Sequence, residues 1–132
     1  MIRKFHEAKD KVTLWGDGSA MREFLYVDDM AQASLFVLNL DKDVYQSNTR
    51  PMLTHINIGT GKDITIRELA ETIKEVVGYD GRLSFDSTKP DGISRKLIDI
   101  SRISEMGWTY NIDLKEGLVM TYEWYKKMTK EV

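Results

Sequence analysis

The sequence contains no cysteine, and this absence excludes disulfide bonds, a thiolate nucleophile and any zinc site built on sulfur ligands. It carries no excess of positive charge: the formal net charge is −2 and the pI is near 5.7, which argues against general nucleic-acid binding. No apolar run has the length of a membrane span, and residues 1–8 lack the apolar region of a signal peptide. We therefore expect a cytoplasmic protein with neither a nucleic-acid nor a membrane partner.

Histidine is almost absent too. His6 and His55 are the only two, and each is interpreted as structural because no Ser-His-Asp grouping has supporting context. Asp28 and Asp29 are adjacent, but neighbouring residues of a helix do not face each other, so Asp28 is predicted to cap a helix instead. The remaining candidate carboxylates are scattered without metal-ligand spacing: Asp41, Asp43, Asp80 and Asp86. The sequence thus predicts neither a catalytic residue nor a metal site in this chain.

What is present suits one domain over residues 1–132. The chain is 42% hydrophobic and 30% charged, ordinary values for a folded protein, and it is long enough to bury a core. Helical and extended patterns alternate, which favours an α/β fold. We predict helices at 2–9, 28–40, 65–77, 101–106 and from 113, strands at 12–15, 24–27, 55–58 and 82–85, an extended segment at 97–100, and a loop at 41–51. The first helix lacks a capping residue, so we expect the chain to begin inside an element, as a portion of a longer protein would.

The most informative motif lies at residues 15–30. Trp15 precedes the turn Gly16-Asp17-Gly18, and Arg22 follows it after three more residues. An indole followed by a guanidinium suits a ligand that is flat at one end and anionic at the other, as a nucleotide diphosphate is. A buried tryptophan beside an ordinary surface arginine explains the same residues without a ligand.

Two further segments contain residues that could meet phosphate. Gly59-Thr60-Gly61 follows a predicted strand but lacks the third glycine and the acidic residue of a dinucleotide fingerprint, so a plain turn is the simpler interpretation. Residues 89–96 place Asp91, Arg95 and Lys96 around a turn, where arginine can hold a diphosphate bidentately and lysine adds a point charge. A solvated charged loop is the alternative interpretation of this segment.

These segments together resemble the C-terminal part of an extended short-chain dehydrogenase/reductase, and the resemblance covers nearly all of the chain. The runs Arg22-Glu23-Phe24 and Val27-Asp28-Asp29 occur generally in the nucleotide-sugar epimerases and dehydratases of this family. Two other runs, Pro51-Met52-Leu53-x-His55-Ile56-Asn57 and Lys89-Pro90-Asp91-Gly92 with Arg95-Lys96, are typical of the branch that makes GDP-L-fucose from GDP-4-keto-6-deoxy-mannose.

The resemblance implies an α/β fold: a substrate-binding C-terminal lobe plus one strand–helix segment that normally completes the Rossmann lobe. Such enzymes bind NADP(H) in an N-terminal Rossmann domain and use a catalytic Ser, a Tyr-x-x-x-Lys pair, and Cys and His for epimerisation. This sequence has no cysteine and no glycine-rich fingerprint, and Tyr122 and Lys126 of its terminal helix are not interpreted as that pair. We therefore expect the chain to be inactive alone. Its expected partners are a GDP-sugar substrate, its own Rossmann domain and further copies of itself in a homo-oligomer.

Carried over residue by residue, the resemblance implies that Lys4, Trp15, Arg22 and Lys96 contact the substrate. Trp15 would lie by the nucleotide, Arg22 and Lys96 would offset the diphosphate charge, and Lys4 would contribute from the first helix. Asp91 is an additional candidate for a hydroxyl contact. Two alternatives remain open: a portion of another nucleotide-sugar epimerase or dehydratase, and a self-standing module that binds a nucleotide sugar or a protein without catalysing a reaction.

Overall fold

The computed structural model describes the backbone of residues 1–130 and the side chains of residues 1–129. Helices and strands alternate along this part of the chain. Their order is α1 (Ile2–Glu7), β1 (Lys11–Trp15), β2 (Met21–Glu23), α2 (Val27–Leu38), α3 (Lys42–Asn48), β3 (Asp63–Thr65), α4 (Ile66–Val77), β4 (Arg82–Asp86), β5 (Arg95–Lys96), α5 (Ser101–Glu105) and α6 (Leu114–Lys130). Within residues 1–130, no helix is both long and apolar enough to cross a membrane.

The strands form two small sheets. β1 and β4 pair in parallel, with Lys11 opposite Arg82 at one end and Trp15 opposite Asp86 at the other. In the second sheet β2 is central: it runs antiparallel to β3 and parallel to β5. Successive side chains of a strand point to opposite faces, so β1 buries Val12 and Leu14 and exposes Lys11, Thr13 and Trp15.

Helix α4 begins and ends on strong local signals. The Thr65 hydroxyl oxygen accepts a hydrogen bond from the Glu68 amide, and the Glu68 carboxylate accepts one from the Thr65 amide, which completes a capping box. Gly78 ends the helix in the left-handed conformation at φ +70°. The predicted bounds of this helix are confirmed, and its inner face buries Leu69, Ala70 and Ile73.

Two hydrophobic clusters hold the elements together. The larger lies between α1, the β1–β4 sheet, α4 and α6, with Phe5 and Ile73 almost fully buried. The smaller joins α2 to α5 through Ala33, Ile103 and Trp108, and packs against Ile56 and Ile58. The smaller cluster therefore contains α2 and the extended segment 55–58, the helix and strand that, by the family resemblance, normally complete the Rossmann lobe.

Four local predictions are wrong. Residues 41–51 are not all loop, because α3 forms there, and the second strand is Met21–Glu23 rather than 24–27. Asp28 does not cap α2: the N-cap is Tyr26, without a side-chain hydrogen bond. Residues 55–58 are extended but form no strand, since the described chain offers them no neighbouring strand to pair with.

Candidate functional site

The glycine turn after β1 is built around a carboxylate from a distant loop. The Asp17 amide donates to both oxygens of the Asp91 carboxylate, at 2.9 and 3.1 Å. Gly16 has φ +78°, and a Cβ placed on it would lie 1.6 Å from Asp91 Oδ1. Glycine is therefore required at position 16 by both its backbone angle and the space that Asp91 fills. Trp15, directly before the turn, leaves 66% of its surface exposed.

Arg67 of α4 also contacts this turn. Arg67 Nη2 donates to the Asp17 carbonyl at 2.5 Å, and the Arg67 guanidinium lies 4.0 Å from the centre of the Phe85 ring. The Asp17 carboxylate accepts from the Ser19 amide at 2.7 Å; hydrogen bonds to Ser19, and then the Arg67 charge, lower the pKa of Asp17. Sequence reasoning missed Arg67, because nothing in its helical context indicates where its long side chain ends.

Arg22 and Lys96 are direct neighbours across the parallel β2–β5 pair. Side chains at paired positions point to the same face of a sheet, so both cationic side chains leave the same face, and Arg22 Nη1 donates to the Met21 carbonyl at 2.6 Å. Arg22 is half-buried, Lys96 is exposed, and a Cβ on Gly92 would lie 3.7 Å from Arg22 Nη2. Among the residues that the structure describes, no carboxylate forms an ion pair with either cation.

Arg95, the third cation of this region, is already paired. Its guanidinium donates to both oxygens of Asp63 on β3, at 2.5 and 3.2 Å. The hydrogen bond from Arg95 lowers the pKa of Asp63, and the same contact raises the pKa of Arg95. Arg95 therefore ties β5 to β3 across β2 and is less available to a ligand than Lys96 is.

The structure brings together four of the five predicted substrate-binding residues. Trp15 adjoins the turn held by Asp91, and Arg22 borders the Asp91–Gly92 loop and pairs with Lys96. Lys4 is exposed on α1, and within residues 1–130 no described contact joins its side chain to the other four. Neighbouring contacts thus connect Trp15, the Asp91–Gly92 loop, Arg22 and Lys96.

The turn Gly59-Thr60-Gly61 holds an anion of its own chain. Glu23 Oε1 accepts from the amides of Thr60 and Gly61 at 2.5 and 2.7 Å, and Glu23 Oε2 accepts from the Ile98 amide at 3.0 Å. The carboxylate thus fills the position where a phosphate would bind in a dinucleotide site. This turn therefore does not fit NADP(H), and the simpler interpretation of it as a plain turn agrees with the geometry.

Three further side chains that could take part in catalysis have structural contacts instead: His6, Tyr122 and Lys126. His6 Nδ1 lies 3.1 Å from the Tyr122 hydroxyl, and the His6 ring packs edge-on against Tyr122 and Tyr125. Tyr122 and Lys126 do have Tyr-x-x-x-Lys spacing, but Tyr122 is buried and Lys126 bonds to Glu123 at 2.7 Å. In the described part of the chain, no group of three or more histidine, aspartate or glutamate side chains could hold a metal ion.

Asp29 is the buried carboxylate that sequence reasoning assigned no role. It is fully buried, and it accepts from the backbone amides of Asn111 and Ile112 at 3.1 and 2.9 Å. Two amides satisfy the charge that burial would otherwise penalise. Asp29 therefore joins α2 to the segment that enters α6, as a structural contact outside the site.

Nearly the whole chain is similar in sequence to part of several GDP-L-fucose synthases. Residues 1–59 match the model of the NAD dependent epimerase/dehydratase family. GDP-L-fucose synthase of Escherichia coli K12 is 54% identical over 95% of this chain and 40% of its own length, and GDP-L-fucose synthase 1 of Arabidopsis thaliana is 50% identical over 96% of the chain and 38% of its own. The chain thus spans about 40% of the length of the curated relatives it matches.

A solved structure shows the same fold. GDP-mannoheptose C4 reductase of Campylobacter jejuni, determined with NADP bound, superposes with a TM-score of 0.81 at 37% identity, covering 95% of this chain and 43% of that one. The predicted α/β fold is confirmed by this agreement. The chain is therefore similar, as a portion of the relatives' length, to members of the NAD-dependent epimerase/dehydratase family of extended short-chain dehydrogenase/reductases.

Proposed function

We propose that this chain is the GDP-sugar-binding portion of an enzyme that converts GDP-4-keto-6-deoxy-mannose into GDP-L-fucose. The observation that carries the proposal is the Arg22–Lys96 pair, in which two cations face the same side of a sheet without a described carboxylate partner. Like charges directly opposite each other are unfavourable, and a diphosphate bound between them converts that repulsion into attraction. Arginine holds phosphate oxygens bidentately, while lysine supplies a compact point charge.

The other end of this surface suits the base. Trp15 is exposed beside a rigid turn, so its indole offers an apolar face on which guanine stacks. Asp91 uses its two oxygens to hold that turn, and each oxygen retains a further lone pair for a hydroxyl of the ligand. Lys4 adds positive charge from α1 in this proposal.

The reaction itself belongs to parts of the enzyme outside this chain. In the proposed enzyme, two carbons next to the ketone are epimerised, and NADPH bound by a Rossmann domain supplies the hydride that reduces the ketone. This chain contributes by binding the GDP part, which holds the keto-sugar in place for those steps. Alone it is inactive.

Since α2 leaves Val27, Leu35 and Leu38 more than half exposed, we assign that face to contact with the Rossmann domain.

A second candidate is a related enzyme that acts on another GDP-linked sugar. The Campylobacter reductase, whose name specifies GDP-mannoheptose, shares the fold at 37% identity. The cation pair and the indole would contact groups that both substrates share, so they favour a GDP-sugar without choosing its sugar. An enzyme for a UDP- or dTDP-sugar would prefer a different base, so its affinity for UDP or dTDP would exceed its affinity for GDP.

Isothermal titration calorimetry with GDP, guanosine, UDP and dTDP tests the proposal. We expect GDP to bind most tightly, and Arg22→Ala to weaken GDP by about 1.5–3 kcal/mol, or roughly 10- to 150-fold, while guanosine binding is unchanged. Lys96→Ala is expected to act in the same direction.

The other sheet provides the matched control. Lys11 and Arg82 are also opposed cations in a parallel pair, but Asp10 and Asp80 border the same depression. Lys11→Ala and Arg82→Ala are expected to leave GDP binding unchanged. Equal GDP affinity in the parent chain, Arg22→Ala and Lys96→Ala would show that these are solvated charges and would overturn the proposal.

A further inference from the structure

We propose that Glu23 is the positioning residue of the Arg22–Lys96 pair. The proposal deepens the function proposed above and rests on it where ligand binding is concerned. Glu23 follows Arg22 on β2, so its side chain points to the opposite face of the strand. It therefore neither occupies the ligand face nor neutralises the cations, and it acts on the backbone beneath them.

The contacts of Glu23 lie on both sides of β2. Its Oε1 accepts from the amides of Thr60 and Gly61, in the turn that precedes β3, and its Oε2 accepts from the Ile98 amide, two residues after Lys96. One carboxylate thus connects the segments that follow β5 and precede β3, the two neighbours of β2. Gly59 leaves room for it, because a Cβ there would lie 2.4 Å from Glu23 Oε1.

Strand β5 needs such support because it has only two residues. The Met21 amide donates to the Ser94 carbonyl at 2.7 Å on one side of Lys96, and the Ile98 amide bonds to Glu23 on the other. Lys96 therefore lies between a backbone contact and a carboxylate contact. A shift of one residue in this short pairing would move Lys96 to the opposite face of the sheet, away from Arg22.

The charge of Glu23 matters as well as its size. The carboxylate accepts from three backbone amides and from the Thr60 hydroxyl at 3.2 Å, so all its contacts are donors. Hydrogen bonds to an ionised acceptor are stronger than neutral ones. A glutamine has nearly the same shape, but its NH2 group would face an N–H donor at one of these positions, either the 59–61 turn or Ile98.

The test is Glu23→Gln, with Glu71→Gln on the exposed face of α4 as the matched control. In the variant we expect the dissociation constant for GDP to rise at least tenfold while that for guanosine stays within twofold. In NMR spectra we expect the cross-strand contacts between the Arg22 and Lys96 backbones to disappear, with unchanged resonances in the β1–β4 sheet. The control is expected to match the parent chain in both measurements.

Persistence of the Arg22–Lys96 contacts in Glu23→Gln would overturn the positioning role, and so would an equal loss of GDP and guanosine binding. The NMR measurement needs no ligand, so it decides the role of Glu23 even if Arg22→Ala shows that the proposed function is wrong. If Glu23→Gln does not fold, Glu23→Asp replaces it. The shorter side chain keeps the charge but cannot reach both the 59–61 turn and Ile98, so the same loss of cross-strand contacts supports the proposal and their retention contradicts it.

Discussion

At the scale of single residues, two glycine turns are each filled by a carboxylate of the same chain. Asp91 fills the turn at residues 16–18, and Glu23 fills the turn at residues 59–61. Backbone amides in such turns attract anions whatever their source. The acidic side chains therefore give the turns a fixed shape, while Arg22 and Lys96 have no carboxylate partner among the described residues.

Substitution of Gly16 separates backbone strain from the loss of the Asp91 contact. Gly16 and Gly78 have similar angles, φ +78° and +70°, but a Cβ on Gly16 meets Asp91, while one on Gly78 meets nothing within 4 Å. We expect Gly78→Ala to cost about 1 kcal/mol of stability, the penalty of the left-handed conformation, and to leave GDP binding unchanged. Gly16→Ala is expected to cost more and to weaken GDP binding.

Chemical denaturation measures the stability of Gly16→Ala and Gly78→Ala, and calorimetry measures their affinity for GDP. Equal losses of stability, together with parent-like GDP affinity in Gly16→Ala, would mean that Asp91 does not shape the ligand-binding surface.

At the scale of elements, the sequence predicts what local signals specify. The capping box of Thr65 and the Gly78 terminus predict α4 correctly, because each signal satisfies the helix ends within the segment itself. The strand predicted at 55–58 is wrong because strand formation depends on a partner, which no local pattern supplies. The same limit applies to β5, whose two residues depend on Asp63 and Glu23 contacts from far along the chain.

For the candidate site, the sequence likewise identifies some residues but not the long-range contacts between them. Trp15 and Arg22 are identified from one motif, and Lys96 from a loop whose charge has two interpretations. That Lys96 lies opposite Arg22 follows from the pairing of β2 with β5, which the sequence does not show. The Asp91 carboxylate accepts from a backbone amide 74 positions away, and the Glu23 carboxylate accepts from amides 37 to 75 positions away. These contacts could not be predicted from the spacing of residues in the sequence.

The role of Asp29 in docking α2 is tested by substituting Asp29, with substitution of the neighbouring Asp28 as the control. Asp29→Asn retains the size of the side chain but replaces one acceptor with a donor that faces a backbone amide of Asn111 or Ile112. We expect a loss of about 1.5–3 kcal/mol, the value of hydrogen bonds to a charged group. Asp28→Asn, exposed in the first turn of α2, is expected to lose less than about 1 kcal/mol.

Urea denaturation of both variants measures these free energies. A loss for Asp29→Asn no larger than that for Asp28→Asn would show that the buried carboxylate does not hold α2 against the entry to α6.

At the scale of the whole molecule, helix α2 has two unlike faces. One packs Ala33, Phe36 and Val37 into the smaller cluster. The other exposes Val27, Met30, Leu35 and Leu38, with Leu38 78% accessible. Their spacing of three, five and three residues keeps them on one side of the helix, as an apolar stripe. We propose that this stripe is covered in the functional assembly.

We predict that this chain associates with copies of itself through the α2 stripe when no Rossmann domain covers it. Sedimentation equilibrium at micromolar concentrations is expected to show a dimer or larger species. Leu35→Glu combined with Leu38→Glu should shift the equilibrium to monomer without loss of helicity, because both side chains already face solvent in the single chain. Ile93→Glu, at a residue 69% exposed in a loop, is the control and should leave association unchanged. A parent chain that stays monomeric over this range would show that the exposed stripe does not drive association, and would favour a self-standing module over a portion of a larger enzyme.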